Sequence, residues 1–177
     1  MKTSCLMKSL LLTGVALLLA TSLSLPAYAG TQIVNLSPAT LGLNAGQSGQ
    51  VELVYDVQAL TAKTTGLGLR IHFNSSVIEE ITLDGNYGEG LIAADASARD
   101  DLDDFDSDPL TDKYLGIAWV GVAGDWPSFM SPPLVLSRAT LKMRKDCPAG
   151  STVVNLSTSG TPEGFVFQGH GATIATP

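Results

Sequence analysis

GLGLRIHFN, residues 66–74, places Leu67, Leu69, Ile71 and Phe73 at alternate positions, with Gly68, Arg70, His72 and Asn74 between and after them. A period of two marks a strand with one buried face, because successive side chains point to opposite sides of the backbone. Just upstream, QVELVYDVQ (residues 50–58) repeats the pattern, with Val51, Leu53, Tyr55 and Val57 on the apolar side. Further candidate strands are residues 33–36, 80–83, 113–122, 134–144, 152–157 and 164–175. Turn-forming clusters separate them: Asn44-Ala45-Gly46, Asp84-Gly85-Asn86, Ala149-Gly150-Ser151 and Ser159-Gly160-Thr161-Pro162. Beyond residue 29 no stretch sustains a 3.6-residue apolar period. Residues 74–77 (NSSV) are expected to form one short turn capped by Asn74 or Ser75. The fold class is therefore all-β, with two sheets closing one core as a sandwich or barrel.

The chain has 177 residues, enough for one ordinary domain. Its first 29 residues stand apart. Lys2 and Lys8 give a basic start, residues 9–20 (SLLLTGVALLLA) are apolar, and Ala27-Tyr28-Ala29 follows Pro26. That order is a bacterial-type secretory signal peptide cleaved after Ala29. Its apolar core is shorter than the roughly 20 residues a membrane span needs. The expected organisation is a signal peptide over residues 1–29 and one β-sandwich domain over residues 30–177. The expected location is secreted, with no membrane anchor. Loss of Lys2 and Lys8 moves the formal net charge from −7 to −9. A surface that acidic argues against nucleic acid, whose phosphates need basic partners. Cys5 leaves with the signal peptide. Cys147 then stands alone, as a small buried thiol or as one half of a bridge between chains. His72 and His170 are too few and too far apart in sequence to suggest zinc.

The order of motifs carries a resemblance. Gly46-Gln47-Ser48-Gly49 leads into the strand at Val51. Residues 73–79 (FNSSVIE) form an apolar-strand-to-turn string. Residues 136–142 (LSRATLK) are followed by Cys147-Pro148-Ala149-Gly150. Across most of residues 32–175 this resembles the cohesin domain family and its relatives in the carbohydrate-binding-module superfamily. The resemblance implies a jelly-roll sandwich of about nine strands. It also implies a binding module: cohesins bind dockerin modules across one sheet face, and their relatives bind polysaccharide. Fold alone does not choose between the two.

The sequence departs from that pattern at residues 95–112, DASARDDLDDFDSDPLTD, with eight Asp in 18 residues. Clustered short carboxylates in a secreted protein suit Ca²⁺, which takes about 6–8 oxygen ligands. The candidate ligands are Asp101, Asp103, Asp104, Asp106, Asp108 and Asp112. Asp104, Asp106 and Asp108 copy the first three ligand spacings of an EF-hand, but Pro109 stands where its glycine belongs and Leu115 where its glutamate belongs. The other reading is a solvated acidic loop between two strands.

Trp119 lies mid-strand and is expected in the core. Trp126, in Gly124-Asp125-Trp126-Pro127, either stacks on a ligand from an exposed loop or plugs one open end of the sandwich. Tyr87, in Gly85-Asn86-Tyr87-Gly88, is a lesser ligand candidate. An enzyme is not expected. Gly46-Gln47-Ser48-Gly49 is no nucleophile elbow, and His72 and His170 are expected at the surface or in a turn. Arg138, Lys142, Arg144 and Lys145 concentrate basic charge away from the acidic loop, which suits head-to-tail association or ordinary solvation of a sheet. The reading is a secreted, non-catalytic, cohesin-like module for an extracellular, dockerin-like protein partner. Its alternatives are a carbohydrate-binding module using Trp126 and Tyr87 with a calcium-stabilised loop, and an extracellular matrix or fibre subunit.

Overall fold

The computed structural model describes residues 30–59 and 63–177. The export signal read in residues 1–29 lies outside the described residues. Twelve strands follow one another in the chain: β1 (Gly30–Ser37), β2 (Thr40–Gly42), β3 (Ser48–Ala59), β4 (Gly66–Phe73), β5 (Ile78–Asp84), β6 (Leu91–Ala94), β7 (Arg99–Asp100), β8 (Lys113–Val120), β9 (Leu134–Met143), β10 (Gly150–Gly160), β11 (Phe165–His170) and β12 (Ala172–Thr176). They form two sheets. One runs β11-β1-β3-β9-β5, the other β2-β12-β10-β4-β8-β6, with the short β7 also on β8. The alternation read from the sequence sets their faces. Leu67, Leu69 and Ile71 on β4 pair with Trp119, Ile117 and Leu115 on β8. All six side chains are buried and meet Leu53, Tyr55, Leu136 and Leu141 of the other sheet in one core. Each apolar side chain so buried contributes about 1.5–3 kcal/mol.

Nine strands have five or more residues, as the resemblance implied, while β2, β6 and β7 are short additions at the rim of the second sheet. The expected turn after β4 is present: the Val77 and Ile78 N–H groups donate to Asn74 O, and Asn74 Oδ1 accepts from the Ser76 N–H. One expectation is corrected. Residues 164–175, read as a single strand, are two strands in different sheets, with β11 parallel to β1 and β12 antiparallel to β10. The break falls at Gly171, where a Cβ would lie 2.2 Å from Val154 O, so only glycine lets the chain cross there. The strand read as residues 113–122 also ends early, at Val120.

Candidate interaction surface

The outer face of β10, β4 and β8 carries Asn155, Ser157, Arg70, His72, Tyr114 and Gly116, in register across the three strands. Residues 95–112 fold back over it, and each attachment is specific. Asp95 Oδ2 accepts the Gly116 N–H at 2.8 Å while Oδ1 takes Arg99. Lys113 holds Asp100 at 2.6 Å. Asp112 accepts both the backbone N–H and the hydroxyl of Ser75, and these bonds overcome the upward push of burial to hold its pKa below the usual value. The Arg70 guanidinium lies 3.8 Å from the Phe105 ring centroid and donates to Thr158 O. Three consecutive turns shape the segment, with N–H to O bonds from Asp104 to Asp101, Ser107 to Asp104 and Thr111 to Asp108.

His72 is the centre of the attachment. Its Nδ1 lies 2.7 Å from Asp101 Oδ2 and its Nε2 lies 2.7 Å from Ser157 Oγ. An ionised carboxylate only accepts, so Nδ1–H is the donor to Asp101. Asp101 Oδ1 accepts the Phe105 N–H, and Asp106 Oδ1 stands 3.8 Å from the same Nδ1. The Asn155 amide donates to both Asp106 and Asp108, and Thr111 Oγ1 donates to Asp106. The expectation of a surface His72 is corrected. Alternation points it away from the core, but the loop seals it to 0% exposure. The Asp101–His72–Ser157 relay has the connectivity of a hydrolytic triad. Here the enclosed imidazole joins loop to sheet and acts as a clamp.

The fold divides the six expected calcium ligands. Asp101 and Asp106 gather with His72, with ligand atoms within 4.8 Å of one another, and Asp108 joins them through Asn155. Asp112 turns to Ser75. Asp103 and Asp104 are exposed, and among the described residues their side chains have no hydrogen-bond or ion-pair partner. No signal in the sequence alone sorted these acids, because the partner residues come from strands about 30 to 50 positions away.

The aromatic candidates sit elsewhere. Of the two readings of Trp126, exposed ligand platform or plug of one open end, its 0% exposure fits the plug. Its ring lies 5.2 Å from Tyr55 and 6.1 Å from Trp119, and its Nε1–H donates to Glu89 O. Trp119 is in the core as expected, with its Nε1–H on Tyr87 O. Tyr87 is half-buried with its ring against Trp126 and its hydroxyl on Glu89. Burial and the Glu89 carboxylate push the Tyr87 phenol up to about 12. Burial pushes Glu89 up as well, but hydrogen bonds from Ser128, Tyr87 and the Phe129 N–H outweigh it and lower its pKa to about 2.

The exposed large apolar residues fall mostly in one stretch of the chain. The exposed large apolar residues among those described are Ile92, Leu102, Phe105, Leu110, Val120, Val122, Phe129, Met130 and Val166. All but Val166 fall between β6 and β9. A cleft of about 200 Å³, lined by Arg70, Asp95, Arg99, Tyr114 and Gly116, opens beside the loop.

These features define a cohesin-like β-sandwich that carries an acidic cover on one sheet. A cohesin from Clostridium thermocellum, solved in a type I cohesin–dockerin complex, has a TM-score of 0.53 at 11% identity, covering 83% of this chain and 99% of that one. The sixth cohesin of Acetivibrio cellulolyticus scaffoldin B, solved with a dockerin, has a TM-score of 0.50 at 13% identity, covering 84% of this chain and 99% of that one. No protein-family model and no curated protein matches the sequence.

Proposed function

We propose that this chain is an exported, non-catalytic protein-binding module of the cohesin kind, whose partner is an extracellular, dockerin-like protein. The observation that carries the reading is that eight of the nine exposed large apolar residues among those described lie in one stretch of the chain, Ile92 to Met130, from β6 to the loop before β9. A surface of that kind marks a partner site when it is contiguous. The neighbours solved with dockerins support the class of partner. The carbohydrate reading loses its platform, since both tryptophans are enclosed. Titration calorimetry of residues 30–177 against a panel of dockerin modules tests the proposal. A saturable one-to-one complex weakened at least tenfold by Ile92→Asp or Val122→Asp supports it. Retention on insoluble polysaccharide with no dockerin bound sinks it.

A further inference from the structure

The loop over the second sheet buries more negative charge than its neighbours neutralise. The side chains of Asp101 and Asp106, 0% and 2% exposed, face the His72 imidazole, itself 0% exposed. The half-buried Asp108 joins them through Asn155. One imidazole cancels at most one of three carboxylates. The basic side chains around the loop bond elsewhere: Arg70 to Thr158 O, Arg99 to Asp95 and Lys113 to Asp100. Hydrogen-bond donors fall short as well. The single hydroxyl proton of Thr111 is shared among three acceptors, with Asp106 Oδ1 at 3.0 Å, Asp106 Oδ2 at 2.9 Å and Asp108 O at 2.9 Å. The two Asn155 amide protons go to Asp106 Oδ2 and Asp108 Oδ2. Asp106 Oδ1 therefore has no donor of its own among the described residues, and it lies 3.8 Å from His72 Nδ1. Buried carboxylate charge without a matching cation is costly.

From this geometry we infer that His72 Nδ1, Asp101 and Asp106 form a binding site for a divalent transition-metal ion of the Zn²⁺ class, with Asp108, tied to Asp106 by Asn155, as the fourth ligand. The ligand atoms of His72, Asp101 and Asp106 lie within 4.8 Å of one another. Around an ion held at about 2.1 Å, tetrahedral ligand atoms stand about 3.4 Å apart. His72 Nδ1 is 2.7 Å from Asp101 Oδ2 and 3.8 Å from Asp106 Oδ1, on either side of that value, so sub-ångström shifts seat the ion. The outer partners are in place too. With the ion on Nδ1, the imidazole carries its proton on Nε2 and donates it to Ser157 Oγ, 2.7 Å away, while Asp101 Oδ1 still accepts the Phe105 N–H. The imidazole sets the choice of ion. Ca²⁺ takes oxygen ligands and leaves His72 unused, whereas an imidazole nitrogen beside carboxylate oxygens suits Zn²⁺. The enclosure of the group makes this a structural site, fastening residues 101–108 to β4.

The test titrates residues 30–177, cleared of metal with a chelator, with Zn²⁺ alone. The expected result is one ion per chain, retained in millimolar Ca²⁺. Ser157→Ala removes only the outer partner of His72 and should weaken binding about tenfold. His72→Ala and Asp106→Asn should weaken it further. Asp103→Asn/Asp104→Asn, on exposed residues of the same loop, should leave it unchanged. A second readout leaves the loop intact. In His170→Ala the one imidazole left is that of His72, and its Nδ1 resonance in the NMR spectrum should move when Zn²⁺ is added. No binding at micromolar Zn²⁺, displacement by Ca²⁺, loss of the ion in His170→Ala, or an unmoved His72 Nδ1 resonance overturns the inference. Unchanged affinity in His72→Ala or in Asp106→Asn overturns it equally.

Discussion

Replacing His72 with alanine should release the acidic segment from the sheet. The substitution removes contacts of 2.7 Å to both Asp101 and Ser157. It leaves the carboxylates of Asp101 and Asp106, 0% and 2% exposed, facing each other without the imidazole. Stranding one partner of a buried pair costs about 3–5 kcal/mol. At about 2–4 °C per kcal/mol for a domain of this size, a loop that stayed in place would lower the midpoint by ~6–20 °C. The loop has a cheaper route, because lifting off the sheet returns both carboxylates to water. The fall in midpoint is then capped by the remaining attachments at Asn155, Ser75 and Gly116. The decisive readout is therefore local: protease cleavage within residues 101–111 and amide exchange at Phe105, whose N–H donates to Asp101. Both should rise in His72→Ala while the amides of β3 and β9 keep their protection. Ser157→Ala removes one hydrogen bond, about 1 kcal/mol, and should leave the loop closed. A His72→Ala protein with wild-type cleavage, exchange and midpoint would refute the clamp.

Four further outcomes can be checked. Trp126→Ala empties the end of the core and should cost about 3–5 kcal/mol in urea unfolding, with no change in any polysaccharide binding. Glu89, held at about 2 in the fold against an ordinary 4.5, adds stability above pH 4.5 that is lost as pH falls through about 2. Wild type should therefore lose more of its thermal midpoint over that acid window than Glu89→Gln does, and equal losses would contradict the Ser128 and Tyr87 contacts. Gly171→Ala forces a Cβ to within 2.2 Å of Val154 O and should cost about 1–3 kcal/mol, read as a lower urea midpoint. Calcium is proposed only for the group the fold keeps together, Asp101, Asp106 and Asp108: calorimetry should show heat in wild type and none in Asp106→Asn, and no heat at millimolar Ca²⁺ ends the proposal.

The sandwich was legible because its core strands obey a single rule. Alternation in residues 50–58 and 66–74 assigned Leu53, Tyr55, Leu69 and Ile71 inward, and they are buried. The reading of residues 164–175 as one strand passed over a change of phase: the inward side moves from Phe165 and Phe167 to Ala172 and Ile174, across Gly171, where the chain changes sheets. Periodicity records which side a residue faces, not which sheet it joins. For Trp126 the sequence left two readings open. Its Gly-Asp-Trp-Pro setting reads as a loop, and it is one, but Gly121 and Gly90 leave room for the ring to fold into the end of the core. A Cβ on Gly121 would lie 2.5 Å from Trp126 Cβ, and one on Gly90 would lie 3.2 Å from its Cδ1.

The candidate surface was half legible for a different physical reason. Two sequence features looked separate: a polar outward face with His72 and Arg70 on it, and a surplus of Asp thirty residues later. Each had an ordinary explanation, a solvated sheet and a solvated loop. The ordinary explanations fail together once the two meet. An eight-Asp segment on a sheet needs donors beneath it, and a sheet face carrying His72, Arg70, Asn155 and Ser157 supplies them. The pairing also explains why Asp103 and Asp104 point to solvent. The three turns that bring Asp101, Asp106 and Asp108 onto those donors, with Phe105 against Arg70, leave Asp103 and Asp104 exposed. Their exposure follows from the clamp.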